Sequence, residues 1–450
     1  MQQKIPTVII NGAGLGGLTL YHALIKNKDI KEFNVKIFDR ESGPQDRWQG
    51  YHIGINNYGA RSLINCIPSS IALNVPKAIP DPVLNVEYHG FSLYDHTGNL
   101  LLRPPTRQIK DVYDAANLSV GVSLTITYRD ELRHVLLENV PVQWGKKCIG
   151  YEESDDGVWV LFEDGSKEFC DILVGADGIN SPVRKQKLPE LQISDHGLTM
   201  VIANVAAPKN LLDRLSKLGG NAVFQETVGL NGDISIILFR YIPIEQESYD
   251  EPYYRVTTFF QYPSKLDVNS KVDDNDPTSV IDHVKYMIRK LRPECEMTDI
   301  LLEFWNLVPK TSPDPKKYPF KTYDLVRRRK MQDIDPLSVV WSTSRVTLLG
   351  DAAHATSPAL GLGANNAIQD ADVLSQALLN YSPENYISCI KKYEIEMLKR
   401  NSDDVLKSRF IDLRQSTPVS YTGSIFRNNF IKILNSVTNF FDYNLIERKN

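Results

Sequence analysis

The sequence predicts an α/β fold: a parallel sheet with ligand-binding corners, split by a β-rich insert and followed by C-terminal helices. Three observations predict it. Short apolar runs at Thr7–Ile10, Ile172–Gly175 and Val346–Leu349 have the composition of strands buried on both faces, and each runs into a glycine-bearing turn. Two of those turns lead into segments with helical apolar spacing. Residues 195–330 instead string together long β-rich runs.

The first element is the strand Thr7–Ile10, followed at once by Asn11-Gly12-Ala13-Gly14-Leu15-Gly16-Gly17. A helix with Leu18, Tyr21, Leu24 and Ile25 on one side comes next, then the strand Val35–Phe38 and Asp39. This is a GxGxxG fingerprint on Gly12, Gly14 and Gly17 within strand, helix and strand, ending in an acid. Gly12 permits the tight turn, Gly14 lets the backbone reach a diphosphate, and Gly17 allows close helix–strand packing. Asp39 is placed to accept hydrogen bonds from a ribose. The motif marks a dinucleotide site without separating FAD from NAD.

Arg40 leaves the sheet, and Arg47 precedes the glycine-spaced run Gly50–Ile55, which either folds back over a ligand or forms a surface edge strand. Residues 83–103 read as a β-hairpin around the polar turn Tyr94–Asn99, with His96 facing solvent. Arg129 starts a helix with Leu132, Val135 and Leu136 on one face. A cation gains nothing from the dipole at a helix start, so Arg129 answers either an anionic or hydroxyl-rich ligand or an acid such as Glu131.

Val142–Trp144, Cys148–Tyr151 and Val158–Phe162 read as consecutive strands, with a turn at Glu163–Ser166. The buried strand after them ends in Ala176-Asp177-Gly178, again a carboxylate and a glycine where open α/β sheets bind ligands. The third corner is Gly350-Asp351. A loop with Pro358, Gly361 and Gly363 follows, and then a helix with Ala364, Ala367, Ile368, Ala371, Leu374 and Leu378 on one face. The N–H groups at that helix start favour an anionic ring edge.

In the insert, Leu198–Ala203, Ile234–Phe239 and Arg255–Phe260 suggest an antiparallel sheet that floors a substrate cavity. Phe224, Phe239, Tyr241, Phe260 and Tyr262 are candidate lining residues, against the alternative that they are plain core. A helix spans Val280–Leu291. Ser382-Pro383 reads as an N-cap and first-turn pair ahead of the stripe Tyr386, Ile390, Tyr393 and Met397. The tail, Ile425–Ile446, is amphipathic and expected to pack on the body.

Composition narrows the function. Asp and Glu number 55 against 51 Lys and Arg, a net charge of −4 that argues against nucleic-acid binding. Five scattered cysteines without a CxxC pair fit a reducing compartment and show no zinc or disulfide framework. With neither a signal-peptide layout nor a run long enough to span a bilayer, a soluble cytoplasmic protein is expected, as monomer or homodimer. Ser357 has no His–Asp partner pattern of a hydrolase, and His354 reads as a packing or capping residue.

Taken together, the three motifs and their linking text, YRDELRHVL at 128–136 and GDAAHATSPALGLGANNAIQDADVL at 350–374, resemble the FAD-dependent aromatic hydroxylases. These are single-component flavoprotein monooxygenases similar to p-hydroxybenzoate hydroxylase and the tetracycline-modifying monooxygenases. The resemblance implies a Rossmann-like FAD-binding domain from 1–75, 104–190 and 331–380. It implies a β-rich substrate domain from 76–103 and 191–330, and a C-terminal helical region, 381–450. Leu15 and Arg40 join the cofactor set around Gly12–Gly17 and Asp39. Arg129 and Asp351 lie along the ribityl–diphosphate stretch, and Asp177-Gly178 helps bind FAD and the nicotinamide nucleotide. Arg47 stands near either cofactor, while Gly350 and Pro358 frame a loop, Gly361, Gly363, Ala364 and Asn365, that contacts the isoalloxazine edge. Asn56 stands where some relatives carry an acid. The implied chemistry is reduction of the flavin by NADPH or NADH, addition of O2 at C4a, and oxygen transfer from the hydroperoxide to a small aromatic or polycyclic substrate. A flavin oxidoreductase without oxygen insertion and a non-catalytic FAD-binding protein are the alternatives. No catalytic acid–base pair is named, because the chemistry is centred on the flavin.

Overall fold

A computed structural model describes residues 5–44, 46, 49–78, 90–104, 112–117, 125–220, 222–244, 252–268, 270–311 and 326–447. The N-terminal part runs β1 (Thr7–Asn11), α1 (Leu15–Lys26), β2 (Asn34–Phe38), β3 (His52–Ile55), α2 (Asn57–Cys66), α3 (Ser69–Ala72) and α4 (Val75–Ala78). It continues through β4 (Phe91–Asp95), β5 (Leu100–Leu102), α5 (Val112–Asn117), β6 (Thr125–Tyr128) and α6 (Arg129–Leu137). Then come β7 (Cys148–Glu153), β8 (Val158–Phe162), β9 (Lys167–Cys170), β10 (Ile172–Gly175) and α7 (Pro182–Lys187). The middle holds β11 (Ser194–Pro208), α8 (Lys209–Gly219), β12 (Phe224–Val228), β13 (Ile234–Pro243), β14 (Tyr253–Pro263), α9 (Pro277–Leu291) and α10 (Glu296–Asn306). The chain ends in β15 (Arg328–Asp333), β16 (Val346–Leu348), α11 (Asp351–His354), α12 (Gly363–Leu378), α13 (Tyr386–Gln415) and α14 (Tyr421–Glu447).

Four strands pair in parallel in the order β16-β10-β1-β2. Their near-continuous apolar sequences follow from burial on both faces: Val8, Ile9, Ile10, Leu173, Val174, Val346 and Leu348 are all fully buried. Because the strands run the same way, their carboxyl ends share one edge. The turns carrying Gly12, Asp39, Asp177 and Asp351 therefore lie along it.

The second sheet has the order β15-β11-β14-β13-β12-β4-β5. It is antiparallel as expected, except that β4 lies parallel to β12. One face packs on α8, α9 and α10 through a core that includes Val256, Phe260, Tyr262, Met287, Phe304 and Trp305. Arg255 ties this sheet to the β3–β6 pair and the helix after it, through Asp130 on α6 at 2.8 Å and by stacking on Tyr128 with 4.1 Å to the ring centroid.

Two expectations are corrected and a third, the packed tail, is refined. Val142–Trp144 is not a strand: Gln143 makes an isolated bridge to Phe38, and Gly145 at φ +70° turns the chain away. Ser382 does not cap α13. One more turn precedes that helix, Asn385 sits at its N-cap, and Asn385 Oδ1 accepts the Ser382 N–H at 2.6 Å. The tail is helical, but it packs as a thin stripe. Ile431 reaches the cluster of Leu93, Leu101, Val228 and Ile234, while Phe426 is 76% and Phe430 58% exposed. No helix among the described residues is long and apolar enough to cross a membrane.

A charged cluster fastens α13 to the second sheet. His196 Nε2 lies 2.7 Å from Asp333 Oδ2, its Nδ1 is 3.6 Å from Asp412 Oδ2, and Arg409 Nε donates to Asp333 at 2.7 Å. Burial opposes the imidazolium, but the two carboxylates prevail and raise its pKa to about 9. A raised histidine stabilises the fold fully below its ordinary value of 6.5, and that contribution is lost as pH rises through about 9. His196→Gln is expected to cost roughly 1–3 kcal/mol at pH 7 and much less at pH 10. Urea unfolding at both pH values checks this, and an equal loss at both would contradict it.

Candidate functional site

Gly12, at φ +121°, is held against the β10 turn so closely that a Cβ there would sit 2.3 Å from Ala176 O. A Cβ on Gly17 would meet Gly12 O at 2.0 Å, whereas one on Gly14 would meet nothing within 4 Å. The first and third glycines are thus required by packing, while the second opens onto space. Helix α1 begins at that opening with no side-chain cap and no acid in its first turn, so its N–H groups are left to a ligand.

Asp39 organises the turn from the side. Its Oδ2 accepts the Ala13 N–H at 2.7 Å and its Oδ1 the Glu41 N–H at 2.9 Å. Arg133 binds the same turn, donating from Nε to Ala13 O at 2.9 Å and pairing with Glu41 Oε2 at 2.8 Å. The sequence reading missed Arg133. Its signal was the spacing, since it stands one helical turn beyond Arg129.

Asp177 Oδ2 accepts from Asn11 Nδ2 at 2.7 Å, but its Oδ1 is buried without a hydrogen-bond partner. Burial raises this carboxyl to about 6, against the pull of Ser181, Arg40 and Arg184. Gly178 follows at φ +81°, a backbone region that glycine enters without strain.

At the third corner Gly350 is at φ +63°, and its N–H is held by Asp370 on α12 at 2.9 Å. Asp370 is fully buried, which disfavours its charge, yet His354 and Arg400 hold it well below the usual carboxylate range. His354 is therefore a packing residue of this corner, bonded to Asp370. Helix α12 also starts without a side-chain cap or an acid in its first turn.

These corners line one cavity of about 1980 Å³. A pocket for one drug-sized ligand is roughly 300–1,000 Å³, so a dinucleotide and a second molecule fit together. Gly12, Gly14, Leu15, Gly17, Asp39, Arg40, Arg129, Asp177, Gly178, Gly350, Asp351, Pro358, Gly361, Gly363 and Ala364 all line it. Arg47 lies outside the described residues. Asn365 is not on the wall. It is fully buried, and its side chain accepts the Asn56 N–H at 2.9 Å and donates to Gly54 O at 2.8 Å and Gly361 O at 3.0 Å. It fixes the loop instead of meeting a ligand.

The far wall is the open face of the second sheet. Phe224 lines it, but Phe239 and Phe260 do not: they are 2% and 0% exposed and pack toward the helices. Successive strand residues point to opposite faces, so their neighbours Leu238 and Phe259 line the cavity, with Phe91, Met200, Ile202 and Ile236. The side chain of Tyr241 lies outside the described set, and Tyr262 belongs to the helix-side core. His52 and Thr257, joined at 2.8 Å, and Glu226 and Gln415 also line the cavity and were not foreseen.

The FAD binding domain family matches residues 320–403, which span the third corner. An FAD-dependent monooxygenase of Trichoderma harzianum is 27% identical over 424 residues, 89% of this chain and 92% of that protein. The chain is similar to FAD-dependent monooxygenases over most of its length. The 6-hydroxynicotinate 3-monooxygenase of Pseudomonas fluorescens is 24% identical over 88% of this chain and 89% of its own length. Among solved structures, Klebsiella pneumoniae HpxO with FAD and uric acid aligns at TM-score 0.68 and 20% identity, over 98% of this chain and 97% of that one. A salicylate hydroxylase substrate complex aligns at TM-score 0.67 and 18% identity, over 97% and 95%. FAD is the cofactor of this relationship, and an uncapped α1 beside the open Gly14 position fits its diphosphate.

Replacing Asn365 by Ala strands the Asn56 N–H and two carbonyls in a buried site. A loss of roughly 2–3 kcal/mol in unfolding free energy is expected; a change below about 0.5 kcal/mol would show that the three bonds do not hold the loop.

Proposed function

We propose that the chain is an FAD-dependent monooxygenase that uses NAD(P)H and O2 to hydroxylate an aromatic or polycyclic small molecule. One observation carries the reading: the three carboxylate-and-glycine corners open into the same cavity as the apolar face of the second sheet. In this reading residues 1–75, 104–190 and 331–380 make the cofactor side, and 76–103 with 191–330 the substrate side.

When bound, FAD supplies the two-electron redox chemistry and the reaction with oxygen. The chain's residues position and shield. The Gly12–Leu15 backbone and the first turn of α1 hold the diphosphate. Asp39 receives ribose hydroxyls, with Arg40 beside it. Arg129 and Asp351 flank the ribityl stretch, and Asp177 offers its unpartnered oxygen to a ligand hydroxyl or N–H. The segment from Pro358 to Ala364 would border the ring, where the partial positive charge at the α12 N-terminus would favour an anionic ring edge. Phe91, Phe224 and Phe259 exclude water and present an apolar floor to the substrate.

Purified protein is expected to be yellow and to consume NAD(P)H with an equal amount of oxygenated product when given a substrate. Consumption without product would leave a flavin oxidoreductase, and no reduction with any aromatic substrate would leave a non-catalytic flavoprotein. Gly14→Val adds bulk only toward the open space. It is expected to keep the melting temperature of the apoprotein and to weaken FAD binding by about tenfold or more, ~1.4 kcal/mol. Unchanged FAD affinity, read by flavin fluorescence titration, would contradict the diphosphate assignment.

A further inference from the structure

Two neighbouring cavity-facing rows of the second sheet are apolar but for Thr257, which is bonded to His52, and one carboxyl. Across the strands, Glu226 on β12 pairs with Ile236 on β13, Ile236 with Phe259 on β14, and Phe259 with Ile202 on β11. The neighbouring row runs Phe91, Phe224, Leu238 and Thr257. Glu226 is thus a carboxyl set among hydrocarbon on the substrate side, and it is 5% exposed.

A buried carboxyl normally has a cation or several donors around it. Glu226 has neither. Its Oε1 accepts from Gln415 Nε2 on α13 at 2.8 Å, and among the described residues its Oε2 accepts from none. The charge that acts on it is Asp412, of the same sign, and burial together with Asp412 raises the carboxyl to about 7. Arg40, Arg129, Arg133, Lys146 and Lys147 line the cavity from elements around the parallel sheet. Arg329 stands on β15, four strand spacings from β12 in the sheet order, roughly 19 Å.

We infer that Glu226 is the substrate-recognition group of this cavity, held by Gln415 so that Oε2 accepts a hydrogen bond from a phenolic hydroxyl or ring N–H. The site therefore selects neutral aromatic donors and rejects aromatic carboxylates. The inference deepens the monooxygenase reading and rests on it for the identity of the substrate side. An oxygen that ends unpaired in a filled apolar pocket is costly, so the ligand that fits must bring a donor. A ligand carboxylate would face the Glu226 carboxylate, while the nearby His196 imidazolium is already engaged by Asp333 and Asp412. Gln415 acts as a positioning residue.

Three probes of one shape separate the possibilities: 2-naphthol, 2-naphthoate and 2-methylnaphthalene, titrated calorimetrically into FAD-loaded protein at pH 8, where the Glu226 carboxyl is mostly ionised. Wild type is expected to bind 2-naphthol at least about tenfold more tightly than either of the others. Glu226→Gln keeps an acceptor without the charge, so it retains the preference over 2-methylnaphthalene and loses much of the discrimination against 2-naphthoate. Glu226→Leu abolishes the preference for 2-naphthol, and Gln415→Leu reduces it. A wild-type preference for 2-naphthoate, or a Glu226→Leu protein that still prefers 2-naphthol, overturns the inference. Flavin content and far-ultraviolet circular dichroism are recorded for every variant. If wild type does not retain FAD, it is the monooxygenase reading that fails, and the same titrations of the apoprotein still decide the role of Glu226.

Discussion

Parallel pairing of β1 with β2 and β10, and of β10 with β16, is the constraint on which the site depends. Parallel strands deliver all their carboxyl ends to one edge, and the chain must cross over to return. Four turns from distant parts of the sequence therefore meet there. They meet closely: Gly12 and Gly17 leave no room for a Cβ, and Asn11 bridges to Asp177 across neighbouring strands. Side chains outside the motifs then lock each turn. Arg133 and Asp39 hold the first, Asp370 the Gly350 turn, and Asn365 the loop behind it. The groove is preformed, so binding a long nucleotide there does not have to order its wall.

The second sheet uses the same backbone rule differently. Its two faces are both apolar, one packed on helices and one turned to the cavity, and the side-chain period of two assigns residues to them. The Arg255 ion pair and the His52–Thr257 contact set that sheet against the β3–β6 pair and α6. A single cavity thus has one polar, glycine-rich wall and one apolar wall, with a buried carboxyl in the latter. That division of surface is what a redox cofactor and an organic substrate need when they must touch without water between them.

The cofactor side was legible because its signals are local. GxGxxG between two strands, Asp177-Gly178 and Gly350-Asp351 each state a backbone requirement that few residues satisfy, and the structure brings them together. Asn365 was misread because a motif does not say whether a side chain faces a ligand or ties its own loop. The substrate side was less legible for a physical reason. In runs such as Ile236–Phe239 and Phe259-Phe260 every residue is apolar, so alternation leaves no trace, and the choice between Phe259 and Phe260 depends on which face the helices cover. Glu226 left no sign either, since a lone glutamate in a strand ordinarily faces solvent.

The most direct measurement is a crystal structure of the protein grown with FAD. The account predicts one extended flavin nucleotide lying along the carboxyl edge of the parallel sheet. Its adenosine ribose should sit at Asp39, its diphosphate at Gly14, and its ring beside Gly361–Ala364, facing the Phe224 and Phe259 wall. Flavin bound elsewhere, or a cavity that stays closed to FAD at saturating concentration, would contradict it.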